Sequence, residues 1–371
     1  MKQKRLIAAL AGISIMFFAG CAGDKTTKDA LKNAEVLMEE RPEESLEILE
    51  TIDREMLTSR KEKAEFALLY SIALDKNYID LQSDSIISPA VKYYRCHGTA
   101  REKLQSLYYL GRIYYNAGDI EEAMRQYVEA ERYVTNTDNK IAGRLYKAKA
   151  IAYQDIYDFN SALEQAQFAA DRFYAARDTV RHINTLIDIA VIYCLLAKYE
   201  DADNCLKILK SKFDILNERQ ISYYYAILLN ASLINSPDSV QSILYEYLTT
   251  VTNDSLINWL YVSEAYSSLG DYSAASTSLD KYIYYGGQKD AAYYWTSATL
   301  LEKIGDLSSA IEAYKRYLEI TDDDDLSIFY ADTKFIEERY INELHRVKLQ
   351  MSIIIVVLSF NTSVKIYRAK S

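Results

Sequence analysis

Apolar positions in this chain recur at steps of three and four residues over most of its length, the spacing that lays one stripe along an α-helix. Helix breakers are scarce: 371 residues hold 11 glycines and 3 prolines. That balance favours helices joined by short turns over a sandwich or a barrel. Pro42 and Pro237 stand just ahead of helical patterns, as first-turn prolines do.

The clearest unit begins at Leu107 and reads LYYLGRIYYNAGDIEEAMRQYVEA. Leu107, Leu110 and Tyr114 form the apolar stripe of a first helix, Gly118 and Asp119 make a turn, and Ala123, Tyr127 and Ala130 lie on a second helix. Gly111 and Ala123 are small where the two helices cross, which lets their backbones approach. The pattern returns at Tyr146, Ala150, Tyr153, Ala162 and Ala169, with Lys149 where an apolar residue is expected. It returns again at Leu186, Ile189, Ala190, Tyr193 and Ala202, then at Trp259, Val262, Tyr266, Gly270 and Ala275. The last clear unit holds Tyr294, Ala298, Gly305, Ala310 and Tyr314. Between Ala202 and Ala275 the interval is double, and Gln220 to Leu248 fills it with a degenerate pair. Two further pairs lie upstream. The expectation is an all-α solenoid of about eight helix pairs, each covering its neighbour's apolar face.

These residues resemble the tetratricopeptide consensus. The resemblance implies a right-handed solenoid whose concave face is lined mainly by the first helix of each pair, at positions between the seam residues. Tyr108, Arg112, Tyr115, Lys147, Gln154, Asn184 and Trp295 occupy such positions and are the candidate partner-binding residues. The family's carboxylate clamp uses Lys and Asn at fixed places. Ile151 and Val191 stand where one such Asn would be, so that recognition mode is not expected. The upstream segments resemble a group of tetratricopeptide proteins abundant in Bacteroidetes, in which an exported array precedes a membrane helix.

The chain starts with Lys2, Lys4 and Arg5, then an apolar run from Leu6 to Phe18 that closes on Ala19, Gly20 and Cys21. This reads as a secretory signal over 1–20. Its end resembles a bacterial lipobox, with Phe18 where Leu is usual, and implies lipidation of Cys21. Residues 21–28 form the lipidated cysteine and tether, and 29–325 the repeats. A capping or juxtamembrane helix follows over 326–348. Residues 349–364, as a helix, would reach about 24 Å against roughly 30 Å of hydrocarbon, a marginal membrane span before a short tail over 365–371. The repeats are expected to face the periplasm on a membrane-anchored lipoprotein, with surface exposure as the alternative.

The formal charge is −10 and no Lys/Arg stripe appears, so nucleic acid is not an expected partner. The 34 tyrosines suit packing seams more than recognition. No phosphate loop, nucleophile elbow, HExxH or CxxC motif is present, and His97, His182 and His345 are scattered. The acids from Asp322 to Asp325 lack the spacing of a calcium loop. Cys194 and Cys205 could face each other across one helix pair, or be two small buried hydrophobes. No catalytic residue, metal or cofactor is therefore expected. The reading is a membrane-anchored, non-catalytic scaffold or sensor for a protein or peptide. Alternatives are the sensory part of a transmembrane regulator, a glycan-binding surface lipoprotein and, last, an enzyme.

Overall fold

The computed structural model describes residues 26–321. The leader, Cys21, the 326–348 helix and the 349–364 span lie outside them. Among the described residues no helix is long and apolar enough to cross a membrane.

Those residues are all-helical. After α1 (26–37) come α2 (Pro42–Glu50), α3 (Arg60–Lys76), α4 (Ser88–His97), α5 (Ala100–Asn116), α6 (Ile120–Glu131), α7 (Asn139–Asp155) and α8 (Phe159–Ala175). Then follow α9 (Thr179–Leu195), α10 (Tyr199–Lys210), α11 (Glu218–Asn235), α12 (Val240–Thr250), α13 (Trp259–Ser268), α14 (Tyr272–Tyr284), α15 (Ala291–Ile304) and α16 (Leu307–Thr321). The sixteen helices make eight successive pairs. They fall into two compact units that divide after Ala148, within α7.

Why the pairs close is visible at α5 and α6. The face of Gly111 lies against the ring of Tyr127, and a methyl added there would sit 2.6 Å from Tyr127 Cδ1. Ala123 is wholly buried on the facing helix. Ala150, Ala162, Ala190, Ala202, Ala275, Ala298 and Ala310 are each at most 3% exposed. At the pair α11–α12, where the repeat pattern is degenerate, aromatic rings take part in the packing. Tyr225 stacks on Tyr247 at 5.7 Å, and Phe213 meets Tyr224 edge-on at 4.8 Å. The Tyr247 hydroxyl lies 2.8 Å from Ser222 Oγ and accepts from the Asn258 N–H at 2.8 Å. Ser222 in turn donates to the Leu256 carbonyl at 2.6 Å.

The helix starts are built alike. Asp119, Asp158, Asp178, Asp271, Asp290 and Asp306 each accept from a backbone N–H three residues on, which satisfies an orphan donor of the helix they precede. Ser59 and Thr99 form capping boxes with Glu62 and Glu102.

The preceding turns share one geometry as well. At α5–α6, Asp119 N–H bonds the Tyr114 carbonyl and Gly118 N–H bonds that of Tyr115, while Gly118 has φ +81°. This is a Schellman turn, with one left-handed residue between the helices. Gly270 and Gly305 serve the same role with positive φ. In three other turns Tyr157, Arg177 and Ala197 hold that conformation without being glycine, with φ of 60°, 55° and 54°. A methyl on Gly118 would meet nothing within 4 Å, so Gly118→Ala isolates the conformational cost. Left-handed strain of ~1–2 kcal/mol, less what alanine recovers in the unfolded chain, predicts a loss of roughly 0.5–1 kcal/mol. Ala197→Gly should raise stability by a similar amount. Denaturant melts of the two variants should move in opposite directions.

Cys194 and Cys205, on the α9–α10 pair, are both free, half-buried and buried respectively. Burial pushes both thiols up to about 11. They remain protonated at neutral pH and pack as small hydrophobes.

Candidate functional site

In the first unit, the first helices of four successive pairs wall a cavity of about 220 Å³. Residues come from the end of α1, from α3, from α5 and from the start of α7, with Tyr94 entering from α4. Met38, Leu68, Leu69, Ile72 and Tyr109 are buried and form the apolar part of its lining, and charged side chains form most of the rest. The two polar sides of this lining differ in character.

On one side charges are matched. The Glu39 carboxylate receives Lys76 at 3.0 Å, Lys140 at 2.5 Å and Arg144 at 3.1 Å. Arg144 also donates to the Tyr109 hydroxyl at 3.3 Å. Burial alone would raise the Glu39 carboxyl, but Arg144, Lys140 and Lys76 outweigh it and bring it down to about 2. Glu39 and Arg144 are 105 residues apart in sequence, so the cluster ties α1, α3, α5 and α7 together.

On the other side charges are not matched. Tyr94 is only 2% exposed, yet its hydroxyl has no hydrogen-bond partner among the described residues. Burial pushes that hydroxyl up, and the charges of Glu102, Glu65 and Glu35 push it further. Glu65 is half-buried and carries no hydrogen bond or ion pair among the described residues. Burial raises its carboxyl; Lys61 opposes this, and Glu35, Glu102 and Glu62 add to it.

A second hollow, in the second unit, has Trp259, Asp254 and Lys281 in its lining. There the polar groups answer one another. The Lys281 ammonium lies 4.0 Å from the Trp259 ring centroid and 3.1 Å from Asp254, and Trp259 Nε1 donates to the Asp254 carbonyl at 2.9 Å.

The groove residues expected from sequence are distributed between the units. In the first unit, Tyr108 is 6% exposed, edge-on to Tyr109 at 4.8 Å and 6.2 Å from Tyr127. It packs against α6 and offers no open surface, which corrects the expectation for that residue. One step along a helix turns the side chain by about 100°, so Gln105 and Tyr109 line the cavity while Tyr108 points to the pair's own seam. Arg112 is committed to Asp75 of α3 at 3.1 Å. Tyr115 and Lys147 are half-buried. In the second unit, Gln154 donates to the Ala150 carbonyl at 3.4 Å, and Asn184 accepts from Gln220 at 2.8 Å, joining α9 to α11. Trp295 is 47% exposed, with Tyr317 at 5.2 Å and Tyr314 at 5.9 Å. Glu39, Glu65, Tyr94 and Arg144 were not among the residues expected from sequence, because they come together only in space.

Residues 105–130, on α5 and α6, match the family model for the tetratricopeptide repeat; of these, Gln105 and Tyr109 line the cavity. The fold is a tetratricopeptide-repeat array. Solved structures of like fold agree. A tetratricopeptide repeat protein from Parabacteroides merdae aligns at 12% identity and TM-score 0.52, over 75% of this chain and 99% of that one. The apo quorum sensor NprR from B. thuringiensis aligns at 15% identity and TM-score 0.56, over 84% and 99%. A Rap protein complexed with competence and sporulation factor aligns at 13% identity and TM-score 0.51, over 86% and 99%. No curated protein sequence matches the chain. Tetratricopeptide arrays work mainly as scaffolds, because stacked pairs present extended binding surfaces.

Proposed function

We propose that this chain is an exported, lipid-anchored scaffold or sensor that binds a protein or peptide partner on the inner face of its helix pairs. One observation carries the binding reading: the first helices of four pairs wall a cavity lined by both apolar and charged side chains, and Tyr94, which lines it, has no hydrogen bond on its hydroxyl among the described residues. A polar group that lines a cavity without a partner of its own is a place for a ligand atom. An array of this fold holds a bound factor in the Rap complex, which supports partner binding as a use of such a surface. The basic start, apolar run and Ala19-Gly20-Cys21 ending support the anchor and a periplasmic or surface location.

Affinity purification of the full chain from its own detergent-solubilised host tests the binding reading. Gln105 lines the cavity, and Gln105→Trp should block it. The expected result is a partner recovered with the wild type and lost with Gln105→Trp. Recovery that is equal for both, or no partner above background, would contradict the reading. In the same cells, metabolic labelling with an alkyne fatty acid should mark the wild type and not Cys21→Ser.

A further inference from the structure

We propose that the cavity of the first unit accepts a basic side chain, Lys or Arg, from a segment of the partner protein. Its charged head would sit among Glu65, Glu102 and Glu35 beside the Tyr94 hydroxyl, and its aliphatic stem on Leu68, Leu69 and Ile72. The inference rests on the binding reading above and names the chemistry that this site selects.

Size comes first. Pockets for whole small-molecule ligands run to roughly 300–1,000 Å³, and this cavity is about 220 Å³. It suits one side chain delivered from outside better than a free cofactor-sized molecule. The lining then matches a long amphipathic side chain, which lays its methylenes on apolar surface and its charge on polar groups. Leu68, Leu69 and Ile72 are at most 6% exposed and form a continuous apolar strip on α3.

Charge decides the sign. Four carboxylates and three cations line the cavity. Glu39 is engaged by Arg144, Lys76 and Lys140, which removes Glu39 and Arg144 from the balance. Lys61 and Arg101 are exposed on the first turns of α3 and α5, where their heads reach water. Glu102 uses Oε2 on the Thr99 N–H and hydroxyl, both at 2.8 Å, and keeps Oε1. Glu65 and Glu35 make no ion pair or hydrogen bond among the described residues. Glu35 is exposed like the two cations, so the charges that remain half-buried in the lining, Glu65 and Glu102, are both acids. Tyr94 lines the cavity, and its hydroxyl accepts no hydrogen bond among the described residues. An ammonium or guanidinium supplies donors only and a positive charge, and so answers every one of these groups, whereas a neutral amide donates without offsetting the charge and an acidic head is repelled.

Capped heptapeptides of Gly and Ser with one central Arg, Lys, Gln or Glu, presented to the full chain in detergent micelles, provide the test. Saturation-transfer NMR reads weak binding directly. Arg and Lys peptides should bind at least ~10-fold more tightly than Gln or Glu peptides. Their affinity should fall with added salt and drop ~10-fold in Glu65→Gln. Tyr94→Phe should also weaken it, while leaving the thermal midpoint unchanged or higher, since no internal hydrogen bond is lost. Equal binding of all four peptides, binding of the Glu peptide alone, or Arg binding indifferent to Glu65→Gln would overturn the proposal. No binding of any peptide, with the native partner still lost in Gln105→Trp, would overturn the basic side chain and leave the scaffold standing. Loss of both would remove the scaffold as well.

Discussion

Gly111→Ala is expected to destabilise the protein by about 1–2 kcal/mol, although alanine is normally the better helix residue. In an open helix interior the exchange would gain ~1 kcal/mol. Here the new methyl would lie 2.6 Å from Tyr127 Cδ1 and 3.2 Å from the Ala123 carbonyl oxygen. The first neighbour is a wholly buried ring and the second is backbone, so neither can yield freely. Overpacking of a well-filled crossing costs ~1–3 kcal/mol, and contacts this short belong at the upper end, so repulsion outweighs propensity. Tyr127→Leu should be costly by itself, because it removes a buried ring, but it should relieve the clash. The double variant is therefore expected to be less damaged than the sum of the two singles. Thermal or denaturant melts of the four proteins decide it. Strict additivity, or a Gly111→Ala protein more stable than wild type, would mean that α5 and α6 do not cross at this pair.

Glu39→Gln should cost about 1–2 kcal/mol at neutral pH. Lys76 and Arg144 keep only 11% and 14% of their side chains exposed, and the substitution removes the carboxylate on which both converge. Removing one partner of a fully buried ion pair costs ~3–5 kcal/mol. Glu39 itself is 43% exposed, and solvent screening reduces the figure. The pH dependence follows from the lowered carboxyl. A carboxyl held at about 2 in the folded state, against an ordinary value of 4.5, contributes stability that is complete above 4.5 and is lost as pH falls toward 2. The stability gap between wild type and Glu39→Gln should then be full at pH 7 and visibly smaller at pH 3. A gap that holds constant over this range would mean the three cations do not converge on Glu39 in solution.

Pairing of the helices was legible from sequence, since crossing demands a small residue and crossings recur at the length of a repeat. Gly111 against Tyr127 is the physical form of that rule. The degenerate pair was legible only as an interval. Its crossing uses stacked Tyr225 and Tyr247, and rings carry no fixed spacing that a repeat search would find. Turn conformation was half legible. Gly118 announces a left-handed residue, whereas Tyr157, Arg177 and Ala197 adopt the same conformation with nothing in their composition to signal it.

The inner surface was the least legible part. Repeat phase fixes which residues form the seam but leaves the remaining positions uncertain by a step, and one step separates buried Tyr108 from cavity-lining Tyr109. Charges that look like solvated faces in sequence acquire roles only through distant partners, as with Glu39 and Arg144. Tyr94 lies on a second helix, α4, outside the expected first-helix lining.

The inner cavity of the first unit is the proposed partner site. A photo-crosslinking amino acid placed at Gln105, in the full chain expressed in its own host, tests it most directly. Ile208 of α10 is 46% exposed and serves as the control position. One discrete adduct is expected from position 105, absent from position 208 and abolished when Glu65→Gln is added. No adduct at 105, or the same adducts from both positions whatever residue stands at 65, would contradict it.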